Sequence, residues 1–221
     1  MRLVLASGSP RRRELLASLG LEFEIRPVDL DETPLPGEAP EAYVARLARE
    51  KAAAALRPGE LVLAADTVVV LDGELLGKPS DPAAARAMLR RLAGREHTVH
   101  TGVELAEDTG SGARRAGAVA TSRVRIAPME EETIAWYVAT GEPLDKAGAY
   151  AIQDLGALFV ETVDGNYTNV VGLPLPTVYR LFAELGLDLL AFRARSGRAC
   201  ARSPDVRDSA VRRVPGRPGT A

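Results

Sequence analysis

The sequence predicts an α/β protein with a mixed, twisted sheet and flanking helices, followed by a flexible C-terminal tail. Three observations carry this. Strand-like and helix-like stretches interleave along the chain, the pattern of an α/β layer architecture. Several neighbouring strands are joined by tight-turn signals, which makes those pairs antiparallel and the sheet mixed rather than purely parallel. After Phe192 there is no Leu, Ile or aromatic residue, and residues 193–221 carry eight arginines against Asp205 and Asp208. Such a segment buries too little apolar surface to offset its ordering entropy. The expected division is a folded domain over 1–190 and an Arg-rich tail over 191–221.

Taken in order, Arg2 to Ala6 is a short apolar strand running into Ser7-Gly8-Ser9-Pro10. Leu15, Leu16 and Leu19 then mark a helix up to Gly20, with Ser9 as N-cap and Pro10 at its first position. Leu21 to Pro27 reads as a second strand, and Asp29 to Gly37 as an acidic, proline-broken loop. Ala39 to Leu56 has the apolar spacing of a long amphipathic helix. Leu61 to Leu71 is a strand whose Asp72-Gly73 turn returns through Glu74 to Leu76. Asp81 caps a helix, with Pro82 behind it, that runs to about Leu92 and stops near Gly94.

Thr98 to Ala106 and Ala116 to Ile126 read as two longer strands joined by the Gly/Ser-rich loop Asp108 to Gly117. Glu130 to Thr140 is a helix whose acidic first turn suits the helix dipole. Leu158 to Val163 and Tyr167 to Val171 flank Asp164-Gly165-Asn166 as a further hairpin, and Leu175 to Leu185 is the last helix. No repeat of 20 to 50 residues is present.

Composition narrows the function classes. Hydrophobic residues make up 46% and charged residues 26% of 221, and mean hydropathy is near zero, as in an ordinary soluble globule. No apolar run approaches a membrane span, and Leu3 to Ala6 is too short for a signal h-region. A lone cysteine, Cys200, makes no intramolecular disulfide and suits a cytoplasmic location. His97 and His100 leave little room for zinc or haem. Three apart on a strand, they face opposite sides and read as structural. The tail carries +6 and the body −8, so a nucleic-acid contact through the tail stays open beside the simpler reading of a solvated extension.

Three features break the local rules. Arg11, Arg12 and Arg13 stand in the first turn of a helix, where free N–H groups and the dipole disfavour cations; a bound anion reverses that cost. Behind Ser7-Gly8-Ser9, this turn has the character of a phosphate cradle, although the Walker spacing is absent. Asp66 interrupts Leu61 to Leu71, an apolar run whose continuity implies cover on both faces. A carboxylate there needs a partner, a metal or an exposed strand end. Finally, the chain has 25 arginines but only three lysines, Lys51, Lys78 and Lys146. The retained lysines mark places where a compact point charge suits a polyphosphate better than a planar fork. Asp31 and Glu32 offer further oxygens should Asp66 hold a metal.

Ser7-Gly8-Ser9-Pro10-Arg11-Arg12, Asp31-Glu32-Thr33, Arg46-Leu47-Ala48-Arg49-Glu50-Lys51-Ala52, Ala65-Asp66-Thr67-Val68-Val69, Gly77-Lys78-Pro79 and Gly141 to Tyr150 occur in that order. Together they resemble the Maf family of nucleoside triphosphate pyrophosphatases, and the likeness extends from about Leu3 to Leu185. The resemblance implies a fold like that of the Maf and inosine triphosphatase enzymes, with a central cleft. It implies cleavage between the α and β phosphates with a divalent cation, Mg²⁺ or Mn²⁺.

On that basis Asp66 is the base that activates water, Glu32 shares the metal with it, and Lys51, Lys78 and Arg12 neutralise the phosphates, with Ser7 in the cradle. Arg11, Thr67 and Gln153 fall at the positions that separate substrate classes, and resemble the branch preferring dTTP and UTP. A 7-methyl-GTP or modified-nucleotide pyrophosphatase, and a septum-related regulatory protein, are the alternatives. A homodimer is likewise implied. Asp154 departs from the pattern, which has glycine there.

Overall fold

A computed structural model describes residues 1–194. Its organising element is β3 (Glu60–Leu71), twelve residues of which all but Thr67 are buried. β1 (Arg2–Leu5) lies parallel to β3 on one side and to β2 (Glu24–Ile25) on the other. On its far edge β3 pairs antiparallel with β5 (Glu96–Asp108), β5 with β6 (Ala113–Ile126), and β6 with β7 (Val160–Asp164). The short β4 (Glu74–Leu76) folds back onto the end of β3. Its turn has Asp72 and Gly73 both at positive φ, the conformation that makes a two-residue connection match strand twist. The sheet is therefore mixed, and the helices α1 (Pro10–Ser18), α2 (Pro40–Ala55), α3 (Pro82–Leu92), α4 (Glu131–Ala139) and α6 (Leu175–Glu184) flank it.

The side-chain alternation of β3 decides where the cleft falls. Leu61, Leu63 and Ala65 pack with Leu16 of α1 and with Leu181 and Phe182 of α6. Val62 and Ala64 face the other way, onto Ala52 and Ala55 of α2. Past the middle of the strand, Val69 and Leu71 join a separate cluster with Leu89 and Leu92 of α3 and Tyr137 of α4. Between these cores stand Asp66, on the α2 face, and Thr67, on the α1 face. The polar pair opens a gap between two apolar clusters.

The position of α2 depends on one missing side chain. At Gly102 of β5, which pairs with Asp66, a Cβ atom would lie 2.2 Å from the Val44 carbonyl oxygen. Only glycine lets the helix cross this closely and present its inner face to Asp66.

Several sequence expectations need correction. Tyr167 to Val171, expected as a strand, is a short helix, α5 (Tyr167–Val171): the Asn166 side chain accepts the Asn169 N–H, and that cap outweighs the strand preference of the β-branched run. Asp164-Gly165-Asn166 accordingly leads from β7 into a helix and joins no hairpin. Ser9 stands at the N-cap of α1 without a side-chain capping bond; instead the Ser7 hydroxyl accepts the Ser9 N–H at 3.2 Å. The second strand is confined to Glu24–Ile25. The β5–β6 hairpin is longer than expected, its arms reaching Asp108 and Ala113, with a turn closed by Thr109 N–H on the Gly112 carbonyl.

The first residues of the expected tail are packed. Phe192 meets Phe182 edge-on at 5.8 Å, and Arg193 bridges to Leu21. Cys200 and the remainder of the tail, 195–221, lie outside the described residues.

Replacing Gly102 with alanine forces α2 off β5, and we expect a loss of about 2 kcal/mol or more in chemical denaturation. Unchanged stability would show that the helix has room to shift.

Candidate active site

The residues singled out from sequence converge. Ser7, Arg11, Arg12, Glu32, Lys51, Asp66, Thr67, Lys78 and Gln153 all line one cleft of about 610 Å³, within the usual range for a small-molecule site. Arg13 and Asp31 are exposed and do not line it; the Asp31 carboxylate accepts the Thr33 N–H at 2.9 Å, forming a local turn.

At the cleft floor Lys51, on the inner face of α2, is buried. Its Nζ lies 2.6 Å from Asp66 Oδ1 and 2.6 Å from Glu32 Oε1. One ammonium thus serves two carboxylates, a buried one from β3 and an exposed one from the acidic loop. The loop is held from α2 as well. Tyr43 donates its hydroxyl to the Glu32 carbonyl at 2.9 Å, and Arg46 reaches the Thr33 carbonyl and Glu38. Burial, with Asp66 and Glu32 nearby, pushes the Tyr43 phenol up to about 12, so it remains a donor. Sequence reasoning missed Tyr43, although it stands eight residues before Lys51 and so shares its helix face.

The opposite wall is the arginine turn. Arg12 donates from Nε to the Gly172 carbonyl at 2.8 Å, from Nη1 to Ser7 Oγ at 3.1 Å, and from Nη2 to Thr67 Oγ1 at 2.9 Å. All three nitrogens are engaged, which makes Arg12 a fixed charge rather than a mobile finger. Burial lowers its pKa, with Asp66 pulling the other way; a guanidinium starts so far above neutrality that it stays charged. At the rim, Asp145 links Arg11 at 3.5 Å with Lys146 at 2.6 Å, and Lys146 also donates to the Glu142 carbonyl. Lys78 is exposed at the mouth. The three lysines thus share one cleft in a body of net charge −8.

Glu32 and Asp66 aim hard oxygens at one point, the donor type that Mg²⁺ or Mn²⁺ takes. Among the described residues no group of three or more His, Cys, Asp or Glu side chains could hold a metal. A cation here therefore needs other oxygens to complete its shell, and phosphate is the usual source.

A family described as "Maf-like protein" matches residues 2–185. The "dTTP/UTP pyrophosphatase" of Anaeromyxobacter dehalogenans (strain 2CP-1) is 57% identical over 188 residues, covering 85% of this chain and 96% of that protein. The protein of the same name from Myxococcus xanthus is 54% identical over 189 residues, covering 85% and 94%. A solved structure, the Staphylococcus aureus Ham1 protein, aligns with 57% of this chain and 72% of that one at TM-score 0.38 and 16% identity.

Behind the cleft the two histidines face opposite sides of β5, as expected from their spacing. His100 Nδ1 sits 2.9 Å from Thr121 Oγ1. His97 Nε2 lies 2.7 Å from the hydroxyl of Tyr150, a cleft-lining residue, and burial pushes the His97 imidazole down to about 4 from 6.5. A histidine neutral when folded takes up a proton on unfolding, so its contribution is complete above 6.5 and is lost as pH falls toward 4. Between about pH 7 and pH 4.5 the wild type should lose about 2 kcal/mol more than His97→Gln in urea titrations. Identical pH slopes would show that burial leaves the imidazole with its ordinary pKa in the folded protein.

Proposed function

Because the chain belongs to the Maf family, we propose that it hydrolyses nucleoside triphosphates, dTTP and UTP foremost, to the monophosphate and pyrophosphate. The observation that carries this is the Asp66 carboxylate, buried at the floor of a cation-lined cleft and held at 2.6 Å by Lys51. The names of the relatives favour dTTP and UTP over 7-methyl-GTP.

In this reading water attacks the α-phosphorus and gives up its proton to an Asp66 oxygen. The bond from the α-phosphorus to the α–β bridging oxygen breaks, and pyrophosphate leaves with that oxygen and the electron pair. Lys51 keeps Asp66 oriented, so the base meets its water without first reorganising. Arg12, pinned by Ser7, Thr67 and Gly172, lays a fixed positive charge along the phosphates, and Lys78 and Lys146 face the same anion from the mouth. A divalent cation held by Glu32, Asp66 and phosphate oxygens would neutralise charge building on the α-phosphate. Arg11, Thr67 and Gln153 are assigned to substrate selection. The cytoplasmic location that the lone cysteine suits and the homodimer that the family likeness implies belong to the same proposal.

Asp66→Asn keeps the size and much of the hydrogen bonding of the side chain while removing the base. We expect a folded protein, by circular dichroism, whose kcat for pyrophosphate release falls by about 100-fold or more. Near-normal turnover would remove Asp66 from the role. Pyrophosphate release should also stop with a chelator and return with Mg²⁺ or Mn²⁺; full activity in chelator would exclude the metal.

A further inference from the structure

We infer that Glu142, with Tyr137, is a positioning residue for nucleobase selection, acting by fixing the loop that carries Gln153 from both ends. This rests on the assignment of Gln153 to substrate selection above. The Glu142 carboxylate accepts three hydrogen bonds. The Leu155 N–H reaches Oε2 at 3.1 Å, the Gly156 N–H reaches Oε1 at 2.9 Å, and the Tyr137 hydroxyl reaches Oε1 at 2.8 Å. Tyr137 completes the ring by accepting the Ala151 N–H at 3.2 Å. Backbone donors immediately before and after Ile152-Gln153-Asp154 are thereby tied to one carboxylate–phenol pair, and both Ile152 and Gln153 line the cleft.

Two further features fit a loop held to one shape. At Gly156 a Cβ would lie 2.3 Å from the Ala151 carbonyl oxygen and 2.5 Å from the Tyr137 hydroxyl, so the loop closes on itself only without a side chain there. Asp154, where the family pattern has glycine, stands at φ +55, the left-handed conformation that aspartate tolerates better than most residues. Tyr137 is wholly buried in the core with α3, and its phenol pKa is raised by that burial and by Glu142. The anchor is therefore rigid, and Gln153 inherits its place from backbone bonds rather than from its own side chain.

A clamp of this kind acts on discrimination more than on the bond-breaking step. The test measures kcat/KM of the full chain with Mg²⁺ for dTTP, UTP, CTP and GTP in the wild type, Gln153→Ala, Glu142→Gln, Tyr137→Phe and the Glu142→Gln/Gln153→Ala double variant. Tyr137→Phe keeps the ring in the core and serves if Glu142→Gln fails to fold. We expect Glu142→Gln and Tyr137→Phe each to lower the ratio of dTTP to CTP by about fivefold or more. The double variant should show the same ratio as Gln153→Ala alone, because the two act through one side chain. A shift in Gln153→Ala with none in either clamp variant overturns the inference, and so do fully additive shifts in the double variant. No shift in Gln153→Ala overturns the assignment of Gln153 itself, and the clamp with it.

Discussion

The site depends on one buried ammonium that serves two carboxylates. Lys51 stands between Asp66, deep on β3, and Glu32, on an exposed loop, at equal distances. Stability alone gives little reason for such a pair. Removing a lysine and an aspartate from water costs several kcal/mol per ion in effective terms, and a well-packed apolar pair often does as well. The arrangement makes sense as preorganisation: an aspartate that must be aimed is held in place before substrate arrives. Much of the surrounding structure serves this pairing. The alternation of β3 turns Asp66 toward α2, Gly102 lets α2 come close enough, and Tyr43 and Arg46 tie the Glu32 loop to the same helix.

The facing wall solves a different problem. A body with net charge −8 repels a polyanion unless its cations are concentrated. Arg12 is spread over a serine, a threonine and a backbone carbonyl, so its charge is fixed in place, whereas Lys78 stands exposed at the mouth. Asp145, between Arg11 and Lys146, holds two rim cations with a carboxylate. In the proposed reaction, phosphate oxygens compete with that carboxylate for the same donors.

The parts of the site that are local in sequence were legible there. An aspartate inside an apolar run, three arginines where a helix start favours acids, and three lysines in an arginine-rich chain each violate a local preference, and the aspartate, two of the arginines and the lysines line the cleft. What could not be read is set by tertiary contact. Lys51 is buried because α2 docks on β3, which helical spacing alone does not reveal. The stretch Tyr167 to Val171 has strand-forming residues, yet Asn166 caps it as a helix that ends at the Gly172 carbonyl gripped by Arg12. The Glu142 clamp is formed largely with backbone N–H groups more than ten residues away, and backbone donors leave no residue-type signature.

The central claim is that the base held by Lys51 delivers water to the α-phosphorus. Hydrolysis of dTTP in ¹⁸O-labelled water tests it most directly, with the label located by mass spectrometry. The account predicts one labelled oxygen in the thymidine monophosphate and none in the pyrophosphate. Label in the pyrophosphate, or release of labelled inorganic phosphate in its place, would contradict it.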